Sequence, residues 1–295
     1  MLLVLLAACA TAPEPVASAP AAWEFDGEPT EPVPLVDADL DLAFQDVVDT
    51  LSGIDPLIAH GGHRWAMGHS DASCPVMDEH NGQDLWWGDC ETASGTRFDG
   101  FSLYTHESYF PRGEDIVDHY IWAHSHMVVD PVEGGRFVAL GDNEVTGVRT
   151  RDGRHEQQVY LLGNYDWSDE AAPDSWIQND LSVWLYMLAA EMDEGVRFTV
   201  DGGINHAPGL FSSIEIEHFS IGNGPQDCEL EPETSMRVWE PGGGWYDVRF
   251  DGADADGVRT DGCDGCGVLS WNGEDLGPVC ADFSAFHQWS GVWKW

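Results

Sequence analysis

Three residue types in this 295-residue sequence have the chemistry and spacing to form a site: histidine, aspartate and cysteine. Six of the twelve His form two groups, His60, His63 and His69 in a stretch read as loop, and His119, His124 and His126 in or beside a strand-like run, HYIWAHSHMVV. Alternate residues of a strand share a face, so His124 and His126 point the same way and could bind a transition metal with His119 and a carboxylate such as Asp118. The competing reading, which the pattern favours, is a solvated polar face opposite Ile121 and Ala123, because His pairs without a third fixed ligand are common by chance. The turn DGADADG at 251–257 resembles a calcium loop in composition. After Asp254 and Asp256, however, the next alternate position is Val258 and no terminal Glu follows, so a solvated acidic turn is favoured. No cofactor is therefore expected, calcium or a transition metal being the two that these residues would admit.

Seven Cys are present. Apart from Cys9 they number six, an even count that in an exported chain implies oxidised pairs. A hairpin turning at Asn81-Gly82 brings Cys74 and Cys90 to within one residue of register, and one turning at Asn272-Gly273 does the same for Cys266 and Cys280. A bulge or a three-residue loop absorbs the discrepancy, so these two pairs are expected, and Cys228 then takes Cys263. The rival for the last four is a zinc knot around Cys263-Asp-Gly-Cys266, for which the second Cys-x-x-Cys is missing. A redox pair at Cys263 and Cys266 ranks lowest, since no βαβ pattern surrounds it.

No GxSxG, HExxH or phosphate-binding GxxxxGK[ST] occurs, and no carboxylate pair stands out among 53 Asp and Glu. The sequence thus points to a non-catalytic protein with a binding or structural role, its ligand an unidentified protein or glycan. The alternatives are a metal- or calcium-dependent extracytoplasmic hydrolase and a carbohydrate-binding β protein. Trp bears on the choice: a Trp on an exposed sheet face favours binding, whereas His and Asp side chains converging in a pocket favour hydrolysis. The composition, thin in Leu and Ile, favours most of the 14 Trp in the core.

Charge narrows the partners. With 12 Lys and Arg against 53 acids and a formal net charge of -41, binding to nucleic acid or to anionic lipid headgroups is excluded as a class. A basic partner or divalent cations suit this chain better.

Residues 1–8 form a short apolar run that ends in small residues and Cys9, too short to span a bilayer as a permanent helix. Leu6-Ala7-Ala8-Cys9 resembles the lipobox of bacterial lipoproteins. That resemblance implies a cleaved signal peptide at 1–8, Cys9 carrying diacylglycerol and an N-acyl chain such as palmitate, and attachment to the cell envelope, by the following Ala10 to the outer membrane. The membrane would then be contacted through the lipid anchor only. Residues 9–37, rich in Pro, Ala and Glu, read as an extended tether.

The elements that must position these side chains are mostly strands. Leu40, Ala43, Phe44, Val47, Val48 and Leu51 share one helical face, predicting an amphipathic helix over 39–52 capped by Asp39. Beyond it, runs such as TRFDGFSLYTH, QQVYLLGNY, VRFTVDG, SSIEIEHFSI and GWYDVRFDG alternate at short period between Gly- and Asp-bearing turns. The segment 180–195 has a helix-like apolar face, but Asp193-Glu194-Gly195 leads directly into VRFTV as a hairpin would, so it reads as strand. The intervals are too short for βαβ crossovers. The fold class is therefore mainly β: an antiparallel twisted sheet or meander with one N-terminal amphipathic helix, over 38–226, and a small disulfide-stapled C-terminal β module over 227–295.

Overall fold

The computed structural model describes residues 39–54, 56–80, 83–109, 116–149, 153–168, 181–253 and 258–288. Its first element, α1 (Leu40–Ser52), starts where Asp39 accepts a hydrogen bond from the Leu42 amide and ends at Gly53, whose N–H donates to the Asp49 carbonyl. Ala43, Phe44, Val47, Val48 and Leu51 are buried, which is the face expected from their spacing.

A second helix, α2 (Ile58–Gly68), corrects the reading of His60, His63 and His69 as loop residues: His60 and His63 lie in it and His69 is its C-cap. Gly61-Gly62 lies inside this helix. Gly62 is where the helix meets the sheet, because a Cβ placed there would lie 2.1 Å from the Phe137 ring. The small residues Ala59, Gly62 and Ala66 make a buried stripe on which the sheet closes in.

Fourteen strands form one antiparallel sheet: β1 (Val76–His80), β2 (Gln83–Trp87), β3 (Cys90–Glu91), β4 (Arg97–Tyr109), β5 (Ile116–Asp130), β6 (Arg136–Arg149), β7 (His155–Ser168), β8 (Leu181–Met192), β9 (Gly195–Asn205), β10 (Ser213–Gly222), β11 (Glu233–Glu240), β12 (Gly244–Arg249), β13 (Cys266–Trp271) and β14 (Glu274–Cys280). Apart from β3, which pairs β4 off the main path, the spatial order is the sequence order, β1 at one edge and β14 at the other. The fold is thus mainly β and a meander, with two α-helices among the described residues rather than the single one expected. The 180–195 segment is β8, turning at Asp193-Glu194 so that Met192 pairs with Gly195. β11 to β14 extend the same sheet, since β10 pairs with β11 from Ser213 opposite Trp239 to Ser220 opposite Glu233.

One face of the sheet carries the core. Val159, Leu161 and Tyr165 on β7, Val183, Leu185, Met187 and Ala189 on β8, and Met236 and Val238 on β11 are all buried, alternating with more exposed residues at period two. α1 packs against β14 and a 3-10 turn at Ser284–Gln288, and α2 against β5 and β6, closing that face. Rings fill the space between: Phe44 meets Phe250 at 6.0 Å, Phe250 meets Phe283 edge-on at 5.6 Å, and Phe219 meets Phe286 at 5.1 Å. Phe carries this core more than Trp does. Among the described residues Trp86 is fully buried, while Trp87 and Trp184 are among the exposed large side chains.

Candidate functional site

The six cysteines form three bonds, Cys74–Cys90, Cys228–Cys263 and Cys266–Cys280, the pairs that hairpin register and elimination imply. The one-residue offset of the last pair is taken up by an irregularity between Leu269 and Ser270. Trp271 pairs with Glu274 and Ser270 with Asp275, but Leu269 pairs with Gly277. Cys263 and Cys266, bonded to different partners, are thus neither a zinc pair nor a redox pair in this state.

Between those two bonds lies a buried acid that the sequence did not single out. Glu231 has no exposed surface, and its Oε2 accepts hydrogen bonds from the main-chain N–H groups of Gly265 at 3.0 Å, Cys266 at 3.1 Å and Asp264 at 3.4 Å. A Cβ on Gly252 would lie 2.3 Å from its Oε1, so the loop before β13 is wrapped tightly around this carboxylate. Burial raises the Glu231 pKa, while the main-chain N–H groups pull it down. The adjoining cleft, lined by Glu231, Glu233, Asp227 and Arg197, has room for about one water molecule. Arg197 spends its guanidinium on Asp227 at 2.7 Å. This is a clamp that holds the Cys263–Cys266 loop rather than a pocket for substrate.

The His groups separate. His63 packs beside Trp86 and Tyr104, each ring centroid 5.8 Å away, and its Nδ1 accepts a hydrogen bond from the Trp86 indole N–H at 3.4 Å. An indole N–H only donates, so Nδ1 is the bare nitrogen and Nε2 carries the proton. Desolvation, reinforced by nearby His60, lowers the His63 pKa to about 4. His69 turns back on its own helix, with Nδ1 2.9 Å from the Trp65 carbonyl. His119, His124 and His126 all lie on β5, the ladder placing His119 opposite Thr146 and His124 opposite Gly141. A register shift follows between His124 and Met127. Their side chains, and that of Asp118, lie outside the described residues, as do Cys9 and residues 254–257 of the acidic turn. Among the described residues no three His, Cys, Asp or Glu side chains are grouped to hold a metal ion.

The opposite, solvent-facing side of the sheet is where an unexpected surface appears. Register aligns Asp142 on β6, Leu162 on β7, Trp184 on β8 and Gly203 on β9 in one row across four strands, and Glu144, Tyr160, Tyr186 and Asp201 in the next. Leu162, Trp184 and Tyr186 are 38%, 37% and 39% exposed, values well above those of the buried residues alternating with them. Gly203 makes room for Trp184: a Cβ there would lie 2.3 Å from Cζ2 of the indole, so the ring reaches over β9 while the side chain stays 37% exposed. Glu156 and Asp201 bear on the Tyr186 hydroxyl and, after partial burial, raise its pKa.

Three strands away the same face holds a second aromatic group. Trp239 and Trp245 pair across β11 and β12 with centroids 5.4 Å apart. The Arg237 guanidinium sits 4.8 Å above the Trp245 ring, with Asp247 at 3.0 Å and Glu215 at 3.6 Å. The sequence could not have displayed the first surface as such, because β8 reads LSVWLYMLAA and is apolar at both parities.

Comparison of the chain with protein-family models, with curated proteins and with solved structures finds no match. Function therefore rests on the residues themselves.

Proposed function

We propose that this is an exported, lipid-anchored protein of the bacterial cell envelope that binds a ligand through the outward face of β6–β9 and catalyses no reaction. The observation that carries the reading is the exposed Trp184, reaching over Gly203 beside Leu162 and Tyr186. Large apolar side chains clustered on a solvated face mark contact surfaces in soluble proteins. The inner face is filled by side chains and two helices, which leaves the outer one for recognition. Three disulfides support an oxidising compartment, and Leu6-Ala7-Ala8-Cys9 supports the anchor.

Two measurements test this. Metabolic labelling with a palmitate analogue should mark the chain, and Cys9→Ser should abolish the label and release the protein from membranes. The purified Cys9→Ser protein should then be retained on envelope fractions of the producing cells, and adding Trp184→Ala should remove that retention. Label that survives Cys9→Ser overturns the anchor, and retention indifferent to Trp184 overturns the binding face.

A further inference from the structure

Resting on that reading, we infer that the β6–β9 face recognises cationic peptide segments, with an arginine guanidinium stacked on Trp184 and bracketed by carboxylates. The protein already builds this interaction once for itself. At β10–β12, Arg237 lies over the Trp245 ring while Asp247 and Glu215 neutralise it from the sides. An aromatic face attracts a cation through its quadrupole, and the flanking carboxylates supply charge and in-plane acceptors for the N–H fork.

At β6–β9 the same components recur without the cation. Trp184 offers an exposed ring, with Tyr186 two residues along the same strand and Tyr160 opposite Tyr186. Asp142 closes the row beyond Leu162, and Asp201 closes the row beyond Tyr186. No Lys or Arg occupies either row between β6 and β9. Among the described residues, the ring of His218, 80% exposed, lies 3.0 Å from Asp201, and the Gln158 amide donates to Glu156.

Four arginines elsewhere are already paired. Arg97 pairs with Asp99, Arg154 with Asp193, Arg197 with Asp227 and Arg237 with Asp247. A chain of net charge -41 consequently attracts cations from a distance, and the aromatic rows give that attraction a place to settle. Adjacent strands lie about 4.8 Å apart, so the four strands span roughly 14 Å, enough for several residues of an extended peptide. A neutral sugar would use the rings but gain nothing from the acids as charges, which is why the basic peptide is the better fit.

The test uses the full-length Cys9→Ser chain and three probes: an end-blocked peptide of alternating glycine and arginine, the same peptide with citrulline for arginine, and maltotetraose. Calorimetric titration at low and moderate salt should show binding of the arginine peptide, weakened at least tenfold by the citrulline replacement. Trp184→Ala should weaken it roughly tenfold and the pair Glu156→Gln with Asp201→Asn roughly fivefold, while Glu274→Gln, in the distant β13–β14 turn, should leave it unchanged. Melting curves confirm that each variant folds, and Trp184→Phe, which keeps a ring, should recover part of the affinity. Arginine-peptide binding equal in wild type and Trp184→Ala would mean diffuse acidity alone and would overturn the inference. Trp184-dependent binding of the citrulline peptide or maltotetraose at comparable affinity would also overturn it, yet leave the binding-face reading intact. No Trp184-dependent binding of any probe overturns it too, and the broader reading then falls only if envelope retention is equally indifferent to Trp184.

Discussion

Acidification should unfold this protein partly through one histidine. His63 has a pKa of about 4 in the fold and about 6.5 in an unfolded chain. Between those values the unfolded chain binds the extra proton and the native state does not, so stability rises with pH across that window. The contribution is complete above about pH 6.5 and is lost as the pH falls towards 4. A difference of this size corresponds to about 3 kcal/mol, a large share of the total for a typical domain. The structural cause is specific: a proton on Nδ1 would remove the acceptor of the Trp86 indole N–H and place a charge between Trp86 and Tyr104. Urea denaturation of wild type and His63→Phe at pH 7 and pH 4 measures it. The many surface carboxylates also titrate over this range, but they do so in both proteins and cancel in the comparison. His63→Phe keeps an aromatic ring against Trp86 and gives up the hydrogen bond, a pH-independent loss of about 1 kcal/mol. Wild type should therefore lose about 3 kcal/mol more than the variant between the two pH values. Equal losses in the two proteins would refute the argument.

Glu231→Ala removes the acceptor of two or three N–H groups in a buried loop, Cys266 N–H alone keeping the Asp264 side chain, and should cost about 2–4 kcal/mol by urea denaturation. A change below about 0.5 kcal/mol would dismiss the clamp. Gly62→Ala separates two physical effects by sign: helix propensity alone predicts a gain of about 1 kcal/mol, whereas the Phe137 ring 2.1 Å from the new methyl predicts a loss of about 1–3 kcal/mol, and the loss should be seen in melting curves. Removing the Cys266–Cys280 bond by paired Ser substitution should lower stability by about 3 kcal/mol, and unreduced peptide mapping of the wild type should recover that pair intact.

What could be read in the sequence was local. Asn272-Gly273 set both turn and register, so the Cys266–Cys280 pair followed from counting, and the bulge that counting required is present between Leu269 and Ser270. Asp39 and the apolar stripe after it announced α1, and the Asp193-Glu194 turn decided β8 against a helix. α2 escaped because its contact stripe is made of Gly and Ala, whose smallness matters only once Phe137 is known to sit against it. The outward rows escaped for a related reason. Trp184 and Leu185 are equally apolar, and only the pairing of β7, β8 and β9 reveals that the indole faces water while the leucine is buried. Glu231 was one acid among 53, with nothing in its neighbours to mark it.

The sequential strand order also bears on how the chain reaches its native state. Because each strand on the main path pairs with its neighbour along that path, the sheet can grow one hairpin at a time from an existing edge as the chain emerges, and only α1 waits for its partners, β14 and the Ser284–Gln288 turn. The cysteines follow the same order. Cys74 meets Cys90, then Cys228 meets Cys263, then Cys266 meets Cys280, so each bond joins consecutive cysteines and closes before the next begins. An oxidant acting on thiols as they appear would produce the native set directly, with no crossed pair to undo. That connectivity permits assembly in chain order, with each sulfur–sulfur bond requiring an electron acceptor and none requiring an earlier bond to be undone.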